Sequence, residues 1–72
     1  MYDLTRFGKR LKEERQKKAL TQRKLSQLSG VNVSTLRKYE NEGMYPSAFN
    51  AICLADVLHV TVNYLLGEDY LI

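Results

Sequence analysis

Apolar residues along the chain fall into five short clusters with helical spacing, separated by brief polar or glycine-containing breaks. In the first, Leu4, Phe7 and Leu11 recur at i, i+3 and i+7 while Arg6, Lys9, Arg10 and Lys12 take the other sides, which predicts an amphipathic helix from about Asp3 to Lys18. Glu13 and Glu14 precede Lys17 and Lys18 by four residues and support its exposed face as i,i+4 pairs. Thr21 is a good cap for a second helix, Gln22 to Ser29, with Leu25 and Leu28 expected inward and Gly30 ending it. Asn32 caps a third helix from Val33 to about Asn41, with Leu36 and Tyr39 inward. Gly43 and Pro46 bracket a loop, Ser47 caps a fourth helix from Ala48 to Leu58, and Thr61 caps a short fifth, Val62 to Leu66, closed by Gly67.

This pattern predicts an all-α fold, one domain over residues 1–72 with 68–72 as a C-terminal tail. Only Gly30, Val31 and Asn32 separate the second and third helices, so the two must cross steeply, as in a helix-turn-helix. Small Ser26 for close helix approach, buried Val31 and inward Leu36 reinforce that turn. Helical steps of about 100° then put Val33, Ser34, Arg37 and Lys38 on the outward arc of the third helix.

The fourth helix is expected to turn Ala48, Ala51, Ile52, Ala55 and Leu58 to the core. Phe49, Cys53 and Val57 make a second apolar stripe, interrupted only by Asn50 and Asp56. A helix apolar almost all round is normally covered all round. The available covers are the tail, Tyr70, Leu71 and Ile72, or a second copy of the chain in a two-fold dimer that also uses Tyr64 and Leu65.

Composition narrows the function classes. Seventy-two residues, 44% of them hydrophobic, allow one modest core and no cleft between domains. No run approaches the roughly 18 apolar residues of a membrane helix, and the charged start does not look like a secretion signal, so a soluble, cytoplasmic protein is expected. The lone Cys53 supplies neither an internal disulfide nor a metal-ligand set. His59, the single histidine, stands near the end of the fourth helix, and no phosphate-cradling glycine loop appears. The expectation is no enzyme, no metal and no cofactor.

Charge is distributed unevenly. All eleven basic residues lie in residues 1–38 with three acidic ones, a net of +8; residues 39–72 carry five acidic and no basic residues, −5. A basic half suits a polyanion, because Lys and Arg release condensed counterions when they meet phosphates. A solvated basic helix would produce the same count.

Thr21-Gln22-x-x-Leu25-Ser26-x-x-Ser29-Gly30-Val31-x-x-Ser34-Thr35-Leu36-x-x-Tyr39-Glu40-Asn41 resembles the phage-repressor and Cro-like helix-turn-helix family, also called XRE. Pro46-Ser47, Leu54-Ala55-x-x-Leu58-x-Val60-x-Val62 and Leu65-Leu66 look like that family's fourth and fifth helices, so the resemblance covers about residues 4–67. It implies a five-helix, lambda-repressor-like domain whose third helix enters the DNA major groove. Lys38 then offers donors to guanine, Ser34 a hydroxyl and Val33 methyls for thymine, while Arg37 reaches either a base or a phosphate. Val33 departs from the polar or basic residue common in the family.

By the same resemblance Gln22 holds the DNA backbone and braces the start of the third helix, and Thr35 and Asn41 contact phosphates. Thr21 either contacts phosphate or simply caps; Arg23 and Lys24 add positive potential or are merely solvated. Arg15 and Glu40 occupy the positions of a salt bridge between first and third helices. The loop Glu42-Gly43-Met44-Tyr45 lacks the family's basic residues, which leaves Tyr45 or backbone N–H groups for phosphate contact. The implied function is a sequence-specific transcriptional regulator of repressor type, binding a double-stranded operator as a homodimer. A protein-interaction module of the same fold, antitoxin-like or an anti-repressor partner, is the alternative, and neither involves a membrane.

Overall fold

A computed structural model describes residues 4–67, and the side chains from Arg6 onward. It contains α1 (Leu4–Lys17), α2 (Gln22–Ser29), α3 (Val33–Glu42), α4 (Ala48–Leu58) and α5 (Val62–Leu66). Side-chain caps decide where four of them start. The oxygens of Thr21, Asn32, Ser47 and Thr61 accept from the backbone N–H groups of Lys24, Ser34, Asn50 and Tyr64 at 2.8–3.1 Å, satisfying donors that have no partner within the helix.

The stops are also local. Gly30 ends α2 in the left-handed conformation, with φ 79°. Ala19 (φ 55°) and His59 (φ 57°) adopt the same region without being glycine. At Ala19 the Leu20 N–H reaches back to the Arg15 carbonyl, and at His59 the Val60 N–H reaches Ala55, a Schellman arrangement in both places. Leu20 and Val60, the residues just past each stop, pack against the core.

α1 packs on α3 and α5, α2 on α3 and α4, and α4 on α5. Phe7, Leu11, Leu25, Leu36, Leu54, Leu58 and Leu65 are fully buried between them. The Phe7 and Tyr39 rings meet edge to face at 5.1 Å, and the Tyr39 hydroxyl accepts from Asn50 Nδ2 at 2.9 Å, tying α1, α3 and α4 together. No helix among the described residues is long and apolar enough to cross a membrane.

Three expectations about faces require correction. Leu28 is 51% exposed. The short turn folds back onto the serine edge of α2 instead: Ser26 Oγ donates to the Val31 carbonyl at 2.5 Å and the Val31 N–H to Ser29 Oγ at 3.2 Å, and Leu28 is left on the outer side. On α4 the core face is Ala51, Leu54, Ala55 and Leu58, leaving Ala48 exposed and Ile52 55% exposed. A nearly uniform apolar helix has no periodicity to set its rotation, so contact with α2 and α5 decides it. Glu14, expected on the solvent face, is buried where α5 crosses α1.

Around that carboxylate Lys17 and Lys18 donate at 3.2 and 3.3 Å and the Tyr64 hydroxyl at 3.2 Å. Burial pushes the Glu14 pKa up, but these three donors outweigh it and hold the group below its ordinary value. The same ion pair raises the pKa of Lys17. Arg10 completes the clamp, donating to the Tyr64 carbonyl at 2.6 Å with its guanidinium 4.5 Å from the Tyr64 ring centre.

Candidate nucleic-acid interface

The helix-turn-helix is held by a buried ion pair. Arg15 of α1 donates through Nε and Nη2 to both Glu40 carboxylate oxygens of α3, at 2.8 and 2.9 Å, and through Nη1 to the Leu20 carbonyl at 2.8 Å. The Arg15 and Glu40 side chains are 11% and 1% exposed. Hydrogen bonding to Glu40 raises the Arg15 pKa, against desolvation, so the guanidinium stays charged. Gln22 Nε2 adds a third donor to Glu40 at 3.0 Å. The glutamine therefore braces the last turns of α3 rather than their start, because Glu40 is the acceptor within reach.

Gly8 was not singled out by sequence pattern, yet it sets the distance between α1 and α3. A methyl built on it would fall onto the Tyr39 carbonyl oxygen and within 3.4 Å of the Glu40 Cα, so only glycine lets the two backbones meet. The available signal was a helix-interior glycine, about 1 kcal/mol less favourable than alanine, beside the Phe7 and Leu11 face.

With α3 so fixed, Leu36 and Tyr39 are buried and Ser34, Arg37, Lys38 and Asn41 are exposed. Val33 and Thr35 are half-buried. Thr21, Arg23 and Lys24 are exposed at the start of α2, with Thr21 engaged in its capping bond. Tyr45 is half-buried and its ring lies 6.5 Å from that of Phe7, so it is partly a packing residue. The outward arc of α3 and the first turn of α2 thus form one polar, positively charged surface whose hydroxyl, guanidinium, ammonium and amide groups can donate to phosphates and base edges.

The other expected surface is divided. Phe49 is 73% exposed, whereas Cys53 and Val57 pack partly against the core. Leu65 is fully buried and Tyr64 is taken up by Arg10 and Glu14, so neither stands free as a dimer contact; α5 turns them onto α1. Tyr70, Leu71 and Ile72 lie outside the described residues. A groove of about 280 Å³ runs between Tyr45, Pro46, Ala48, Ile52, Val62 and Leu66.

Comparison with known proteins agrees with this geometry. A helix-turn-helix family model matches residues 11–65. The HTH-type transcriptional regulator ImmR of Bacillus subtilis (strain 168) is 36% identical over 63 residues, 88% of this chain and 50% of ImmR, so the chain spans about half the length of that curated relative. The restriction-modification controller protein C.AhdI of Aeromonas hydrophila superposes with a TM-score of 0.80 at 36% identity, over 88% of this chain and 96% of that one. The P22 c2 repressor, crystallised with synthetic operator 9T and Tl+, gives 0.80 at 27% identity over the same shares. With the motif, the five helices and the family match in agreement, the chain belongs to the phage-repressor and Cro-like (XRE) helix-turn-helix family.

Proposed function

We propose that this domain binds double-stranded DNA sequence-specifically and acts as a transcriptional regulator of repressor type. The observation that carries the proposal is the free polar edge of α3, Ser34, Arg37 and Lys38, on a helix locked from behind by Arg15, Gln22 and Glu40. A rigid helix with exposed donors at its outer edge suits the major groove, which admits one α-helix. Lys38 and Ser34 read base edges, Val33 lies against a thymine methyl, and Arg37 reaches a base or phosphate. Gln22, Thr21, Arg23, Thr35, Asn41 and Tyr45 serve the phosphates on either side. The similar proteins, a transcriptional regulator, a controller protein and a repressor crystallised with its operator, support this role.

Two copies on a partly palindromic operator would place their α3 helices about 34 Å apart. Phe49 and Ile52, the large apolar residues that α4 leaves exposed, supply a dimer contact in this proposal. Selection of bound duplexes from a random double-stranded pool tests the function. An enriched motif, bound with log K falling linearly against log salt, is expected; no enrichment, with retention on a protein partner, would replace the proposal by an interaction module. Sedimentation of the free and DNA-bound chain tests the dimer, which predicts two copies per enriched site.

A further inference from the structure

A major groove about 12 Å wide just admits a helix about 10–12 Å across, so whatever flanks α3 most closely abuts the phosphate rails. α1 is such a flank, since Gly8 brings its backbone onto that of Tyr39 and Glu40. Along α1, Gly8 and Arg15 mark the seam with α3. Lys12 stands at i+4 from Gly8 and i−3 from Arg15, one step round toward solvent, and is exposed, as is Gln16 one turn further. On the α3 side, Arg37 and Asn41 stand one turn before and one residue after Glu40, and both are exposed. Lys12, Gln16, Arg37 and Asn41 therefore border the outer side of one seam.

Most of the cations near the α1–α3 seam and the C-terminal end of α1 have other tasks: Arg15 is spent on Glu40, Arg10 on Tyr64, and Lys17 and, just past the helix, Lys18 on Glu14. Lys9 is exposed as well, but lies one turn nearer the N-terminus and further round from the seam. No hydrogen bond or ion pair joins Lys12 to another of the described residues. The loop after α3 meanwhile offers Glu42, exposed and of the wrong sign for a phosphate.

We propose that α1 supplies a second phosphate-binding edge, centred on Lys12 and extended by Gln16, which grips the DNA strand running alongside α3. It rests on the DNA-binding proposal above. Nothing in it reads bases, so its contribution is uniform across sequences and sensitive to salt.

The test uses the full 72-residue chain and the most enriched duplex from the random pool, titrated across a salt series. Lys12→Ala should reduce the slope of log K against log salt by about 0.9, so that between 50 and 200 mM salt it loses about 3.5-fold less affinity than wild type, with the ranking of sequences unchanged. Lys17→Ala removes the same charge from the opposite side of α1 and should leave the slope intact. Lys12→Glu should weaken binding further, and circular dichroism will show whether each variant keeps its helices. An unchanged slope in Lys12→Ala and Lys12→Glu, while wild type binds its motif, overturns the α1 edge alone. Equal slope changes in Lys12→Ala and Lys17→Ala also overturn it, since bulk charge then explains both. A wild-type chain that enriches no duplex overturns the DNA-binding proposal and this edge with it.

Discussion

Gly8→Ala separates local preference from tertiary packing by the sign of its effect. By helix propensity alone, replacing an interior glycine with alanine should stabilise α1 by about 1 kcal/mol. In the folded domain the new methyl collides with the Tyr39 carbonyl, and a backbone atom in mid-helix cannot rotate away as a side chain would. The helices must separate, which stretches the Phe7–Tyr39 edge-to-face contact at 5.1 Å and the Arg15–Glu40 pair at 2.8 Å. Because the obstacle is backbone, overpacking here takes the upper end of its usual range, about 3 kcal/mol, and loosening the aromatic pair adds up to about 1 more, so after the propensity gain the net loss is about 2–3 kcal/mol. A domain of this size is stable by roughly 4–11 kcal/mol, and the loss should lower the Tm by about 10 °C or more. Urea titration followed by circular dichroism measures it directly. A Gly8→Ala protein as stable as wild type, or more so, would show that the α1–α3 approach is not held by that glycine and would remove the geometric basis for a phosphate edge on α1.

Other consequences follow from single contacts. Lys38→Ala should cost about 1–3 kcal/mol of binding and relax preference at one base position, whereas Gln22→Ala should weaken all duplexes alike; competition gel shifts on the selected motif and its single-base variants distinguish them. Glu40→Ala leaves the Arg15 guanidinium buried without its carboxylate and should destabilise by about 3–5 kcal/mol, while Arg15→Met with Glu40→Leu should recover most of that loss in urea melts. His59→Gly relieves a positive φ of 57° and should raise stability by about 1 kcal/mol; a lower thermal midpoint would contradict the left-handed stop at the end of α4. Because the Glu14 pKa is lower in the folded state than its ordinary 4.5, its stabilisation is present above that value and lost as pH falls through the folded pKa. Glu14→Gln should therefore flatten the fall of stability in acid relative to wild type, as measured by urea midpoints between neutral pH and about pH 3.

Much of the molecule was legible in the chain because the information is local. Caps at Thr21, Asn32, Ser47 and Thr61 act within three residues, and Gly30 ends α2 by its own backbone freedom, so helix starts and stops agree with the pattern to within a residue or two. The outward arc of α3 followed from Leu36 and Tyr39, which are spaced for one face and have polar neighbours on the others. Where polar and apolar residues alternate in this way, burial has only one solution.

Tertiary structure decided the rest, for one physical reason: these features depend on which element arrives from far along the chain. α4 is apolar on nearly every side, and its contacts with α2 and α5 turned Leu54 inward and Ile52 outward. Leu28 lost its place in the core to the serine edge, which the turn residue Val31 folds back onto. Glu14 and Tyr64 are fifty residues apart, and Gln22 and Glu40 eighteen, so neither pairing has a local periodicity to announce it. Gly8 belongs here too. The sequence by itself determined which segments coil and which edge of α3 stays polar; the distance between α1 and α3, and so what α1 can present beside that edge, was settled only when two backbones met.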